Sequence, residues 1–484
     1  MPIDTEVQLL KYRRTKIVAT LGPSSNSTET IERLIKAGVD VFRLNMSHGT
    51  HDNHREIYHR IRTASDKLDK IVAVLVDLCG PKIRVGNFVD DQIELVEGES
   101  VTVTTRDVEG RPGLIPSQYK GLSNDVEKES RILLDDGNLK LFVESVDGTE
   151  IKCHVIDGGI LRNHKGMNLP GVNISASSLT ETDRVDARFA LDLGVDFLGL
   201  SFVRRSSDVE DLKALVSESG THAAIVSKIE KPEALDNIDG IMDASDAIMV
   251  ARGDLGVELP PQSVPLAQEQ LIEIARIYRK PVIVATQMLE SMIDHPRPTR
   301  AEVSDVSNAV RSGADAVMLS AESASGKYPV RSVAMMDGIV RQAEGYLWRQ
   351  GAFGSLTRKE EVSRPIPIED ALAESTAQLS RDLRVRSILV ICKKDRSVTV
   401  MSSSRPAAPV IGIFTDPKIS SIKNLLWGVI PVTAKQSDLD NFQSFARQIV
   451  KQLHLAEDGQ NILVVQGFSD DPEQNVPSVT VLTV

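Results

Sequence analysis

Short apolar runs separated by longer amphipathic stretches organise the first 345 residues of the chain. KIVATLG (16–22), DVFRLNM (40–46), IVAVLVDL (71–78), DFLGLSF (196–202), AAIVSKIE (223–230), DAIMVARG (246–253), PVIVATQ (281–287) and AVMLSAE (316–322) make eight such runs. Their nearly continuous apolar character suits strands buried on both faces. Between most of them lie stretches such as TETIERLIKAG, SDVEDLKALVSESG and PLAQEQLIEIARIYRK, apolar at helical spacing and long enough for a crossover helix. The junctions AGVDVFRLN (37–45), LGVDFLGLSF (193–202) and SGADAVMLSAE (312–322) repeat one grammar, a glycine suited to the left-handed position after a helix and then a buried run. Parallel pairing requires such crossovers and closure removes exposed edges, so the pattern predicts an α/β fold built on a (β/α)8 barrel. A doubly wound open sheet is the alternative.

The alternation breaks once, where about a hundred residues separate the third and fourth runs. There QIELVEGESVTVTT and RILLDDGNLKLFVESVDGTEIKCHVIDGG alternate with period two, and Asp-Gly pairs at Asp136, Asp147 and Asp157 favour tight hairpins. This predicts an inserted β domain on a barrel loop. Beyond about residue 345, WRQGAFGSLTRKEEVSRPIP loses periodicity as a linker does. A helix (IEDALAESTAQLSRDL) and the runs SILVICK, PVIGIFT, GVIPVTA, NILVVQG and VTVLTV then predict a second α/β unit, regulatory or assembly-related. The expected division is barrel over 1–79 and 177–345, insert over 80–176 and C-terminal α/β domain over 346–484.

Composition narrows the function. With 56 Lys+Arg against 68 Asp+Glu the net charge is −12 over 484 residues, and without a basic block this argues against nucleic-acid binding. Three scattered cysteines, Cys79, Cys153 and Cys392, fit a reducing cytoplasm better than a metal cluster or disulfide framework. The N-terminus lacks an apolar leader, and no stretch reaches the roughly 18 apolar residues of a membrane span. No P-loop, G-x-G-x-x-G, HExxH or CxxC occurs.

In such barrels the active site lies at the carboxyl ends of the strands, and here those ends are polar. The second run carries Arg43, Asn45, Ser47 and His48, the third Asp77, the fifth Lys228 and Glu230, and the sixth Arg252, Gly253 and Asp254; Thr286 closes the seventh and Ser320 with Glu322 the eighth. Period two puts Arg43, Asn45 and Ser47 on one side if the extended run persists, and likewise Lys228 with Glu230. Glu230 and Asp254 form an all-oxygen pair of the kind that holds Mg2+ while leaving open positions. A Lys–Glu pair that merely closes the barrel is the structural alternative, and His48 reads more readily as a packing or capping histidine than as a ligand. Arg43, Arg84, Lys165 and Lys228 gather cations suited to a phosphorylated anion, although Arg84 and Lys165 also fit solvated surface.

At this point the chain resembles the pyruvate kinase family. TKIVATLGPSS, RLNMSHG, DLCGPKIRVG, HKGMNLPG, SKIEKPEAL, VARGDLGVE, ATQMLESM and MLSAESASGKYP are similar to that family's signatures, in order and over essentially the whole chain. The resemblance implies transfer of the phosphoryl group of phosphoenolpyruvate to ADP in glycolysis, a lid formed by the β insert with hinges near Gly80-Pro81 and 171–177, and a homotetramer. It implies that Arg43, Lys228, Gly253, Asp254 and Thr286 contact phosphoenolpyruvate, with Ser320 and Glu322 behind Thr286. Glu230 and Asp254 match the ligands of the divalent metal, Mg2+ with Mn2+ as the alternative. Asn45, His48, Arg84 and Lys165 match positions that hold ADP or ATP phosphates, with Pro23 near the base, and Asn45, Ser47 and Asp77 match the monovalent-cation site. Many relatives carry Glu where this chain has Lys82 and Thr where it has Leu78, and in the family Lys there goes with independence from K+.

The segment KKDRSVTVMSSSRPAAP (393–409) resembles the family's activator-phosphate loop, which singles out Lys393, Ser397, Ser402, Ser404 and Arg405. The later stretch QGFSDDPEQN is acidic at Asp470 and Asp471, where fructose-bisphosphate-activated relatives are basic. The expected effector is therefore a sugar monophosphate or a nucleotide monophosphate such as AMP. A Mg2+-dependent barrel lyase or aldolase, or a catalytically silent metabolite sensor, are the competing readings.

Overall fold

The computed structural model describes residues 12–350, 353, 366–392, 396–468, 473 and 475–484. Strands β1 (Lys16–Thr20), β2 (Val41–Asn45) and β3 (Ala73–Asp77) come first; the insert supplies β4 (Gln92–Leu95), β5 (Ser100–Thr104), β6 (Leu114–Pro116), β7 (Arg131–Leu134), β8 (Leu139–Asp147), β9 (Glu150–Asp157), β10 (Gly159–Arg162) and β11 (Met167–Asn168). Then β12 (Phe197–Leu200), β13 (Ala224–Ile229), β14 (Ala247–Ala251), β15 (Val282–Ala285) and β16 (Ala316–Leu319) complete a closed parallel barrel in the order β1-β16-β15-β14-β13-β12-β3-β2. Closure excludes the doubly wound sheet.

Local chemistry starts and stops the barrel helices where the junctions predict. Ser27 caps the helix Thr28–Ala37 by accepting from the Thr30 N–H, and Thr180 and Thr299 form capping boxes with Asp183 and Glu302. Gly38 and Gly313 end their helices at φ 117° and 101°, a conformation that disfavours any Cβ. The strands are shorter than the apolar runs. Residues 46–48 leave the extended conformation for a turn, so the period-two placement of Ser47 fails; Arg252 and Gly253, expected to close the sixth strand, instead open the helix Arg252–Glu258 directly after β14.

The insert holds a two-stranded sheet, β10-β4, and a six-stranded sheet, β11-β7-β8-β9-β5-β6, with one short helix at Leu122–Asp125. Gly137 and Gly148 sit in the β7-β8 and β8-β9 hairpins at φ 85° and 58°. The third Asp-Gly pair is not a hairpin: after Asp157 the chain leaves β9 and β10 pairs with β4 instead. Backbone at Gly158 passes close beneath β4, and a Cβ there would lie 2.4 Å from the Leu95 carbonyl oxygen.

The helix Pro329–Arg349 outlasts the barrel before the C-terminal unit, whose strands β17 (Ile388–Ile391), β18 (Val410–Phe414), β19 (Val429–Thr433), β20 (Asn461–Gln466) and β21 (Ser478–Thr483) form the sheet β19-β18-β17-β20-β21. Only the edge strand β21 is antiparallel. This unit closes the barrel floor. Ile422 and Leu425 pack into one buried cluster with Val18, Val41, Leu75 and Met249 of the barrel interior, and Asn424 Nδ2 donates to the carbonyls of Asp40 and Ile71, both at 2.9 Å. Among the described residues no helix is long and apolar enough to cross a membrane.

Candidate active site

The polar strand ends converge. Lys228, near the end of β13, donates from Nζ to Ser201 Oγ at 2.7 Å and lies 2.9 Å from Glu230 Oε1 and 3.2 Å from Asp77 Oδ1. Asp77, at the end of β3, accepts from Arg43 Nε on its other oxygen at 2.7 Å, with Arg43 Nη2 ion-paired to the same oxygen at 2.7 Å, while Arg43 Nη1 reaches Thr20 Oγ1 at 3.1 Å. Asp77 and Glu230 are each 1% exposed, so every charge here depends on its partners. Burial alone would depress the Lys228 pKa, but Asp77 and Glu230 override it and hold the ammonium above its usual range. For Asp77 burial pushes upward, and Lys228 with Arg43 outweighs it and keeps the carboxylate ionised. Glu230 goes the other way: burial pushes its carboxyl up to about 7, with Asp254 adding to the rise and Lys228 opposing it.

Two backbone irregularities serve this cluster. Phe202, just beyond β12, has φ 54° and donates its N–H to Glu230 Oε2 at 2.8 Å. Thr286 has φ 70°, a costly conformation for a β-branched residue. Its hydroxyl accepts from the Gly253 N–H at 2.7 Å and donates to the Ala285 carbonyl at 2.6 Å, tying the end of β15 to the first turn of the Arg252–Glu258 helix that carries Asp254. Behind it, buried Glu322 accepts from the backbone N–H groups of Leu289 and Ser320 at 3.0 and 2.7 Å.

A cavity of about 240 Å3 opens between barrel and insert, with Lys82, Arg84 and Lys165 on one side and Asp254 and Lys231 on the other. Lys165 is paired with Asp135 at 2.6 Å. Lys82 donates from Nζ to Ser47 Oγ at 2.5 Å, and the Ser47 N–H donates to Asn45 Oδ1 at 3.1 Å, so the three residues form one string beside Cys79. Partial burial of the Lys82 ammonium, with Arg84 and Lys228 nearby, lowers its pKa despite Asp77. Pro23 and His48 are exposed on loops after β1 and β2. His54 Nε2 bonds the His48 carbonyl at 2.8 Å.

Among the described residues of the serine-rich segment, the polar side chains bond within the protein. Ser402 donates to the Trp427 carbonyl at 2.7 Å and Ser404 to the Met401 carbonyl at 2.8 Å, while Ser397 is buried beside Cys392. Arg405 is 4% exposed and bonds Asp315 Oδ1 and the Gly313 carbonyl, both at 2.8 Å, under the barrel. Its guanidinium thus forms an interdomain pair. Lys393 lies outside the described residues.

Sequence reasoning passed over Ser201 and Phe202, which hold Lys228 and Glu230, and the Lys231–Glu258 pair beside the cavity, where Asn168 of β11 also bonds Glu258 at 3.2 Å. The Lys-Ile-Glu-Lys run contained the signal for the last.

The family model described as "Pyruvate kinase, barrel domain" matches residues 12–333, and "Pyruvate kinase, alpha/beta domain" matches 370–480. The chain is 44% identical over 416 residues to a pyruvate kinase of Mycobacterium intracellulare, covering 86% of each chain. It is 43% identical over 425 residues to that of Staphylococcus aureus, covering 87% of this chain and 72% of the relative. Pyruvate kinase 2 of Synechocystis is 40% identical over 461 residues, 94% of this chain and 76% of the relative. With barrel, insert and C-terminal α/β unit in matching order, and an ionic cluster at the strand ends, the chain is a phosphotransferase that belongs to the pyruvate kinase family.

Proposed function

We propose that the chain transfers the phosphoryl group of phosphoenolpyruvate to ADP, giving pyruvate and ATP. One observation carries this reading: a buried Lys228 shares a strand-end cluster with Arg43, Asp77 and Glu230, next to a cleft lined by Lys82, Arg84 and Lys165. Phosphoryl transfer spreads negative charge over the oxygens of the migrating group, and cations fixed in a poorly solvated site stabilise it without reorganisation. In this assignment Arg43 and Lys228 take the phosphate of phosphoenolpyruvate, Gly253, Asp254 and Thr286 with Ser320 orient the carboxylate and enolate end, and Asn45, His48, Arg84, Lys165 and Pro23 take the nucleotide. The Thr286 hydroxyl proton is already given to the Ala285 carbonyl, which suits Thr286 to ordering the proton's route to carbon more than to releasing its own.

Pyruvate kinases need a divalent metal, typically Mg2+. The donor set fits one here, because Glu230 and Asp254 are carboxylates near enough to repel one another, an all-oxygen pair of the kind that holds such an ion while leaving positions open. Glu230 and Asp254 would hold the ion, Mg2+ or Mn2+, and when bound it supplies Lewis-acid stabilisation of the transferred oxygens. Lys82 stands in for the monovalent cation in this reading, its ammonium on Ser47 beside Asn45 and with Asp77 near. Activity in tetramethylammonium chloride should then match that in KCl at equal ionic strength, whereas many-fold activation by K+ would refute the assignment.

A monophosphate effector and a cytoplasmic homotetramer complete the reading. Activation by glucose 6-phosphate, ribose 5-phosphate or AMP at lower concentration than by fructose 1,6-bisphosphate is expected in crossed titrations, and the reverse order would reject it. The deciding experiment for the activity is a coupled assay of ATP formed from phosphoenolpyruvate and ADP with Mg2+. Binding of both substrates without turnover would favour the sensor, and enolate chemistry without ATP the lyase.

A further inference from the structure

Beside the cleft between barrel and insert, the Arg252–Glu258 helix ends on a buried ion pair to which the catalytic assignment gives no task. Glu258 Oε1 takes the Lys231 ammonium at 2.5 Å, and the two side chains are 1% and 6% exposed. Glu258 Oε2 is buried and has no hydrogen-bond partner among the described residues. An apolar pair of similar volume is often no less stable than a buried ion pair, so packing alone does not account for it.

Its place in the chain does. Lys231 follows directly on Glu230, and Glu258 stands four residues after Asp254, one helical turn along the same face. Each end of the ion pair is thus one short covalent step from one of the two carboxylates proposed to hold the divalent metal. The helix is tied at its start, where the Gly253 N–H donates to Thr286 Oγ1 at 2.7 Å, and the Lys231–Glu258 contact ties it at its end. Held at both ends, it cannot shift Asp254 relative to Glu230 without breaking one of these contacts.

The insert leans on the same place. Asn168 of β11 donates from Nδ2 to Glu258 Oε1 at 3.2 Å, so one carboxylate oxygen takes both a lysine of the barrel and an amide of the insert. The β7-β8 hairpin comes close as well, since a Cβ at Gly137 would lie 3.6 Å from Val257 Cγ1. Met167 and Asn168 pair with Leu134 and Leu133 of β7, which makes both contacts parts of one sheet.

We propose that Glu258 is a positioning residue: braced by Lys231 and by Asn168 of the insert, it sets the separation of Glu230 and Asp254, and with it the affinity of that pair for a divalent ion. The inference rests on the metal position given under the proposed function. Residues that hold no ion themselves but orient those that do typically govern metal affinity by about 10- to 100-fold.

Mn2+ titration of the full chain without substrates, read from the electron paramagnetic resonance signal of the free ion, tests the brace. The wild type should bind one ion at a site that Glu230→Gln removes. Glu258→Gln should weaken that site by about tenfold or more and Asn168→Ala by about threefold or more. Both act through one carboxylate, so Asn168→Ala added to Glu258→Gln should weaken it no further. Asn168→Ala should keep the wild-type thermal midpoint, which separates a lost brace from a lost fold. By reciprocity, Mn2+ should slow hydrogen exchange at the β11 amides of the wild type and not of Asn168→Ala. A site that survives Glu230→Gln overturns the metal position and the brace with it. A site lost in Glu230→Gln yet unchanged in both Asn168→Ala and Glu258→Gln overturns the brace alone.

Discussion

Lys228 shows how one residue is set by its neighbours. An ammonium buried this deeply survives only because Ser201, Asp77 and Glu230 surround it, and the same enclosure keeps it from rearranging when charge develops on a bound anion. Lys228→Met should therefore lower kcat by about a thousandfold or more while the fold persists, and a loss under about tenfold would remove Lys228 from the role proposed for it. The alternation of Lys228 with Glu230, and the charge at Arg43 and Asp77, were legible as spacing. Ser201 and Phe202 were not: a serine hydroxyl and a left-handed N–H acquire their roles only when β12 and β13 align, Leu200 beside Ser227. Ser47 illustrates the opposite failure, since a turn rather than a continued strand delivers it to Lys82.

Among the elements, eight strands and their crossovers were readable because burial on both faces leaves a continuous apolar signature. Their ends were harder, since polar residues that close an apolar run look alike whether they extend the strand, turn away or open a helix, as Arg252–Glu258 does. Asp157-Gly158 misled for a related reason, a dipeptide that allows a hairpin also allowing the chain to change sheets. The end of β1 is fixed by contact more than by pairing. A Cβ at Gly22 would meet the Ala324 carbonyl oxygen at 2.7 Å and the Ala324 Cβ at 2.9 Å, in the short helix that follows β16. Backbone cannot step aside as a flexible side chain would, so Gly22→Ala should destabilise by about 1–3 kcal/mol in denaturant titration. An unchanged midpoint would show that this junction yields more easily than its packing suggests.

At the scale of the molecule, the docking of the C-terminal unit was the least legible feature. Arg405 sits in a serine- and basic-rich stretch that reads as an anion loop, yet its partner Asp315 is 90 positions away and its other face rests on Trp427, 4.7 Å from the ring centroid. Such a pair is chosen by how two domains meet, which local spacing does not encode. Removing one member strands the other in a buried position, so Arg405→Met should cost about 3–5 kcal/mol, measured as a lower denaturation midpoint. Restoration of that loss by adding Asp315→Asn would identify the stranded carboxylate as its source.

The barrel does not own its floor. Ile422 and Leu425, which fill the lower opening, arrive from a domain that the ribosome makes only after the last barrel helix is complete. Until that stopper is seated, the tube that carries the reactive cluster at its mouth stays wet at its base. Maturation of the catalytic half must therefore wait for nearly the whole polypeptide, and a fragment cut in the region joining the two should expose greasy lower-barrel side chains and clump.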